Sequence, residues 1–247
     1  MPKLNDVSAL KQATAQSHYG FSATRIGSLG ASEYTLASVV VDVSSSVAPF
    51  AADLTRAVKE VVRACKYSPR ADNLLLRVTE FATGLNELHG FKLLENCNES
   101  DYDKALSVGG CTSLYDASLN AIEATTAYAG DLGRNDFGAN GIIVVITDGD
   151  DNASTLTARG VQDALARSAR EESLESLVTI LIGVNIRDPH VSKTLRTFRA
   201  DVGFTQYVEL ADADAKTLAK LADFVSKSIS AQSQSLGTGG SSQSLTI

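Results

Sequence analysis

Residues 35–46 of this 247-residue chain read TLASVVVDVSSS, an apolar run that ends in an aspartate and three serines. The late positions of the run are almost all apolar, which is typical of a strand covered on both faces. Side chains that follow such a strand directly lie at its carboxyl end. The segment therefore predicts a central strand whose end carries Asp42, Ser44 and Ser46.

Outward from this strand, short β-branched runs alternate with longer segments of helical periodicity, as in an α/β protein with a mainly parallel sheet. Five more strands are predicted, at residues 73–81, 88–94, 141–147, 177–184 and 206–210. Apolar stripes predict helices over about residues 54–67, 113–129, 191–200 and 214–230. We expect a doubly wound, Rossmann-like sheet of six strands with helices on both faces.

The chain divides into three predicted parts. Residues 34–231 carry the alternating pattern and are predicted to form one domain. Residues 1–33 form an N-terminal extension without strong periodicity, and packing on the domain as an extra strand or arm is one interpretation of it. Residues 232–247, QSQSLGTGGSSQSLTI, have too little apolar surface to offset the entropy of ordering and are expected to be a flexible tail.

Composition excludes several classes of protein. The chain has 22 basic and 29 acidic residues without a basic cluster, so a nucleic-acid partner is not expected. Its longest apolar run, residues 142–146, is far too short to cross a bilayer. The N-terminus lacks the apolar stretch of a secretory signal, and Cys65, Cys97 and Cys111 lack disulfide or zinc spacing, so a cytoplasmic location is expected.

Three short motifs carry polar side chains at predicted strand or helix ends. They are DVSSS at residues 42–46, GGCTSLYD at residues 109–116 and ITDGDDN at residues 146–152. Taken singly, each has an ordinary explanation, because Ser, Thr and Asp often cap helices or form turns. Asp150 and Asp151 likewise suit either a charged rim around a site or a solvated turn, and Cys111 is expected to be a small packing residue.

Together the motifs indicate a metal site, because loops at the carboxyl ends of central strands converge on one crevice. The set supplies the carboxylates of Asp42 and Asp148 and the hydroxyls of Ser44, Ser46 and Thr112. Such hard oxygen donors suit magnesium, manganese or calcium, and magnesium is the first choice. We expect all five residues to hold one divalent cation.

At these residues the chain resembles the von Willebrand factor A domains. Their metal-ion-dependent adhesion site consists of a DxSxS motif, a threonine in a helix-initiating loop and an aspartate in a TDG-like turn. Here these are Asp42, Ser44, Ser46, Thr112 and Asp148, and the similarity covers residues 35–230. The resemblance implies a protein-binding module whose metal is completed by an Asp or Glu carboxylate of a partner.

Two other functions remain open. Aspartates at strand ends also serve metal-dependent phosphoryl transfer and hydrolysis, although no phosphate-binding or nucleophile motif accompanies them here. We expect a binding protein and not an enzyme. Within binding proteins, the resemblance allows an exported adhesion domain or an intracellular assembly subunit that works with an AAA+ ATPase or another operon partner, and the cysteine pattern favours the second.

Overall fold

The computed structural model describes residues 9–103, 107–238 and 245–246, and these form an α/β fold with one eight-stranded sheet. The strands are β1 (Ala9–Gln12), β2 (Phe21–Thr24), β3 (Glu33–Asp42), β4 (Leu74–Phe81), β5 (Leu85–Leu93), β6 (Gly138–Thr147), β7 (Leu177–Gly183) and β8 (Gln206–Glu209). The α-helices are α1 (Ala51–Lys66), α2 (Leu114–Gly133), α3 (Ala158–Ser168), α4 (Pro189–Val202) and α5 (Ala215–Ser235).

The sheet is mostly parallel, with the strand order β1-β2-β5-β4-β3-β6-β7-β8. Only the pairs β1–β2 and β4–β5 are antiparallel in the described part of the chain. The sheet has eight strands and not the predicted six, because β1 and β2 come from the N-terminal extension. These two strands have four residues each, too few to show a period, and only their place beside β5 makes them recognisable.

The centre of the sheet is where the strand order changes direction. From β3 the chain proceeds outward through β4 and β5, and it then returns to the other side of β3 with β6, β7 and β8. β3 and β6 run in parallel register up to the pair Val41 and Ile146. Their carboxyl ends therefore lie side by side, at the position in an open α/β sheet where ligands usually bind.

Helices cover both faces of this centre. On one face, Val39 and Val41 of β3 belong to an apolar cluster with α1 and α5. On the other, Val40 belongs to a cluster with α2, α3 and α4. The predicted stripe of α1 is buried with the first cluster, and each such side chain contributes roughly 1.5–3 kcal/mol relative to an exposed one.

Two helices extend beyond their predicted ends because of tertiary contacts, and one helix was not predicted. α2 continues through Gly130 to Gly133, since Leu132 is buried under the N-terminal strands. α3 was not predicted, although the Thr157 side chain caps it. α5 extends to Ser235, beyond the predicted end at residue 230 and into the predicted tail, where Gln232 is buried and donates to the Gly141 carbonyl at 3.1 Å. Residues 239–244 and 247 of that tail lie outside the described residues.

Residues 9–24, called the N-terminal arm below, are held by side chains of β5 and α2. The Ser22 amide donates to Glu87 Oε1 at 2.9 Å, and the Ser17 amide donates to Glu123 Oε2 at 3.0 Å. Gly90 of β5 lies so close to the arm that a Cβ there would be 1.8 Å from the Ser22 carbonyl oxygen. The arm is thus a specifically packed part of the sheet edge.

Candidate metal site

Asp42 ends β3 and lies at the centre of the site, with 1% of its surface exposed. Its Oδ1 accepts a hydrogen bond from the Ser44 amide at 2.8 Å. Its Oδ2 accepts one from Thr147 Oγ1, at the end of β6, at 2.6 Å. The carboxylate therefore joins the ends of the two central strands.

The serines connect Asp42 to the second predicted carboxylate. Ser44 Oγ lies 3.1 Å from Ser46 Oγ, and Ser46 Oγ donates to Asp148 Oδ1 at 2.8 Å. Ser44 is buried, whereas Ser46 is exposed and Asp148 is partly exposed. Four of the five predicted ligands are thus brought together by hydrogen bonds between neighbouring loops.

Thr112 is anchored to the same loops without a hydrogen bond to the other four among the described residues. Its amide donates to Asn152 Oδ1 at 2.7 Å, and its carbonyl accepts from the Ala153 amide at 3.1 Å. The carbonyl of Gly110, two residues before Thr112, accepts a hydrogen bond from the Ser45 amide at 3.1 Å. No hydrogen bond of the described part of the chain involves the Thr112 hydroxyl, although the residue is buried.

The capping explanation of the two hydroxyl motifs is wrong. Ser44 precedes the short 3-10 helix Ser45–Phe50, and Ser113 precedes α2, but neither side chain caps its helix. The first turn of α2 is capped from the β6 loop instead, since Ser154 Oγ accepts from the amides of Tyr115 and Asp116, each at 3.1 Å. The hydroxyls of the motifs are therefore not engaged in helix capping.

The two carboxylates of the site have no positively charged partner within the described ranges. Among the described residues, neither Asp42 nor Asp148 forms an ion pair with a lysine, arginine or histidine. Burial raises the pKa of Asp42, against the hydrogen bonds from Thr147 and Ser44. Burial, opposed by the hydrogen bond from Ser46 and helped by the charge of Asp42, raises the pKa of Asp148 to about 6.

The donor set fits a hard divalent cation. The site presents carboxylate and hydroxyl oxygens, which magnesium, manganese and calcium prefer. Within the described residues no group of three or more His, Cys, Asp and Glu side chains could hold a metal ion, so a cation at this site would depend on the hydroxyl donors as well. A cation would also offset the charge of these two carboxylates, whose pKa values burial raises.

Two supporting residues, Thr147 and Asn152, were missed in the sequence, and the role of a third, Asp151, was left open. Thr147 bonds Asp42, Asn152 bonds the Thr112 amide, and Asp151 Oδ1 accepts from the Tyr115 amide at 3.2 Å. Asp151 thus supports the start of α2 and is not merely a solvated turn residue. All three belong to the ITDGDDN motif, but their partners lie at least 36 residues away in sequence, so no local pattern reveals them.

Two neighbours of the site have different surroundings. Asp150 Oδ2 lies 3.7 Å from His190 Nε2, at the start of α4. Burial raises the pKa of Asp150, and His190 opposes this. Cys111 is exposed, so its prediction as a packing residue is wrong. The reason is that the loop lies at the surface here, since Gly110 before it is exposed as well.

In the part of the chain that the structure describes, no helix combines the length and apolarity needed to cross a membrane.

The sequence matches no protein-family model and no curated protein. Solved structures nevertheless share the fold. The pilus adhesin SpaC from Lactobacillus rhamnosus GG is 11% identical and matches 81% of this chain with a TM-score of 0.60. The PilB minor pilin from Streptococcus sanguinis is 14% identical and matches 81% with a TM-score of 0.59. Proximal thread matrix protein 1 from the mussel byssus, with a zinc-occupied metal-ion-dependent adhesion site, is 20% identical and matches 79% with a TM-score of 0.53.

These similarities concern the fold. The chain spans 31% of SpaC, 62% of PilB and 46% of the byssus protein. The structural similarity shows a von Willebrand factor A-like α/β fold. The chain spans about a third to two thirds of the length of these proteins.

Proposed function

We propose that this chain is a metal-dependent protein-binding module. Asp42, Ser44, Ser46, Thr112 and Asp148 hold one divalent cation, with magnesium preferred and manganese or calcium as substitutes. The observation that carries the proposal is the hydrogen-bonded group at the ends of β3 and β6, in which two carboxylates lack any positive partner among the described residues. The metal-loaded site of the byssus protein, on a similar fold, supports it.

The chemistry of the site favours binding over turnover. A bound cation supplies an exchangeable coordination position that a partner carboxylate can fill. Ser44, Ser46 and Thr112 are neutral donors, and Asp42 and Asp148 would act largely through bridging waters, so the cation would keep enough charge to attract that carboxylate. Asp42 is held by Ser44 and Thr147, which orients it without adding charge. The partner is accordingly a protein that presents an Asp or Glu side chain.

Metal titration by calorimetry tests the ligand set directly. Ser46→Ala removes an exposed hydroxyl that bonds Asp148, while Ser45→Ala removes the neighbouring exposed hydroxyl, which bonds the Gly110 carbonyl instead. We expect the chelator-treated wild type and Ser45→Ala to bind magnesium or manganese alike, and Ser46→Ala and Asp148→Asn to bind at least about 10-fold more weakly. Equal affinity in all four proteins, or no binding at millimolar metal, overturns the proposal.

The partner is tested by affinity capture with magnesium and with chelator. The metal bridge is supported by partners that bind wild type and Ser45→Ala in magnesium but do not bind Ser46→Ala. These partners should bind none of the three proteins in chelator. Identical partners in all conditions contradict it. Hydrolysis of a generic phosphoester that is lost in Asp148→Asn would identify an enzyme instead.

The cellular context is a further part of the proposal. Three free cysteines, of which Cys111 is exposed, fit a reducing cytoplasm and an intracellular assembly such as one with an AAA+ ATPase. The fold shared with the pilus proteins SpaC and PilB favours an exported adhesion domain as the second candidate. Fractionation of the producing cells, with detection of the chain in cytoplasm or on the surface, decides between the two.

A further inference from the structure

The loop that carries Thr112 is held on both sides by one residue of the turn between β4 and β5. Thr83 Oγ1 accepts a hydrogen bond from the Cys111 amide at 3.0 Å. The Thr83 carbonyl accepts one from Ser113 Oγ at 2.9 Å. Thr83 thus contacts the residues immediately before and after Thr112, although it lies 28 and 30 positions from them in sequence.

The close approach of the two loops depends on Gly110. This residue has a φ of +84°, and a Cβ there would lie 2.6 Å from Thr83 Oγ1. A glycine in the left-handed region avoids the strain of other residues but leaves the unfolded loop more conformational freedom. The pair Gly109-Gly110 therefore gives the loop little stiffness of its own, and contacts from outside must define its position.

The main chain of Thr112 itself is held from the opposite side. Its amide donates to Asn152 Oδ1 at 2.7 Å, and its carbonyl accepts from the Asn152 amide at 2.9 Å. Its side-chain hydroxyl has no hydrogen bond among the described residues. Both backbone groups of Thr112 are thus satisfied and both of its neighbours bond Thr83, while its hydroxyl stays without a partner among the described residues.

We propose that Thr83 is a positioning residue of the metal site, which it supports by holding Cys111 and Ser113 on either side of Thr112. This inference rests on the proposed function. Thr83 does not touch the metal ligands through any described hydrogen bond. It acts through the main-chain position of Thr112, as outer residues that orient metal ligands do in other sites.

Thr83 is suited to a test because its side chain is exposed and adds little to the core. Thr83→Val keeps the shape but removes the acceptor for the Cys111 amide, whereas Thr83→Ser keeps the hydroxyl. Three measurements are made on each variant of the 247-residue chain, and one of them is the melting temperature in chelator. Hydrogen exchange of the Cys111 amide is followed by NMR in chelator, and magnesium and manganese affinities are measured by calorimetry.

In Thr83→Val we expect faster exchange of the Cys111 amide and metal affinity about 10-fold weaker, with the melting temperature in chelator unchanged. Thr83→Ser should restore both. Unchanged exchange and affinity overturn the inference. So does an affinity loss that serine fails to restore, or one that accompanies a fall in melting temperature.

The two proposals fail in distinguishable ways. A wild-type chain that binds no metal contradicts the proposed function, and the exchange measurement in chelator then still shows whether Thr83 holds the loop. A wild-type chain that binds metal with the same affinity as Thr83→Val contradicts only the role of Thr83.

Discussion

Two places in this molecule take carboxylates out of water, and they treat the charge differently. Under the N-terminal arm, Glu87 pairs with Arg77 at 2.8 Å, and Glu123 pairs with Arg167 at 3.0 Å. At the ends of β3 and β6, Asp42 and Asp148 have only hydroxyl and amide donors.

The difference distinguishes the carboxylates that hold the arm from those of the proposed metal site. A buried carboxylate that serves the fold needs a counterion within the chain or several hydrogen-bond donors, as Asp116 has in the Thr155 and Leu156 amides, because an unpaired buried charge is costly. The arm has such counterions, and its carboxylates also accept hydrogen bonds from arm amides. The metal site has none among the described residues, which suits a charge that is balanced from outside. The comparison can be tested at each place.

The largest effect is expected from Arg77→Met under the arm. Arg77 is 1% exposed, and its loss leaves the Glu87 carboxylate, which is 20% exposed, without a positive partner. We expect the free energy of unfolding in urea to fall by about 3–5 kcal/mol. The double variant Arg77→Met/Glu87→Gln should recover at least half of this loss. A fall below about 1 kcal/mol for the single variant would show that the arm does not need its counterion.

A second effect concerns His89 of β5, which is half-buried and neutral. Burial lowers the pKa of His89 to about 4, and the imidazole accepts from Tyr102 Oη at 2.7 Å while Nδ1 donates to the Gly90 carbonyl. In the unfolded chain His89 has a pKa near 6.5, so below this pH the unfolded chain binds a proton there that the folded chain does not bind. Stability should therefore fall by up to about 3 kcal/mol as pH drops from 6.5 to 4.

Urea unfolding across this pH range checks the prediction, with His89→Gln as the control. Glutamine does not titrate and can still accept from Tyr102, so its stability should change less with pH. The same pH dependence in both proteins would assign the effect to other groups.

At the candidate metal site, removal of a carboxylate charge should raise the free energy of unfolding instead of lowering it. In chelator at pH 8, Asp148→Asn should raise the free energy of unfolding by about 1 kcal/mol, because it removes a partly buried charge that repels Asp42. The asparagine oxygen can still accept from Ser46. In excess magnesium the order should reverse, since a ligand at 100 times its Kd stabilises the wild type by about 2.7 kcal/mol. A loss of stability in chelator would make Asp148 a structural residue like Glu87.

The smallest effect concerns the reactivity of the three cysteines and not the stability of the chain. Burial raises the pKa of Cys65 to about 12 and that of Cys97 to about 11, whereas Cys111 is exposed at the rim of the site. A thiol reagent should therefore modify one cysteine in the native chain and three after unfolding. Cys111→Ser should leave none reactive in the native chain. Rapid modification of a second cysteine would indicate that the cluster between α1 and the sheet opens.

Local sequence was enough for the elements that have a clear period or composition. The apolar run before Asp42 predicted β3, the spaced apolar residues of α1 predicted that helix, and the polar motifs at strand ends predicted the candidate ligands. These features persist because apolar burial and strand-end polarity are properties of short segments. The α/β class followed from their alternation.

The tertiary structure decided what depends on contacts between distant segments. β2 joins the sheet beside β5 and β1 pairs with β2, while Glu87 and Glu123 bind amides of the arm. Thr83, Thr147 and Asn152 support the site from other loops. The same holds for charge: the sequence shows acidic residues at both places, but whether an arginine stands beside them is set by packing. A carboxylate's role in this protein is therefore decided by its neighbours in space, since the cost of a buried charge depends on what surrounds it.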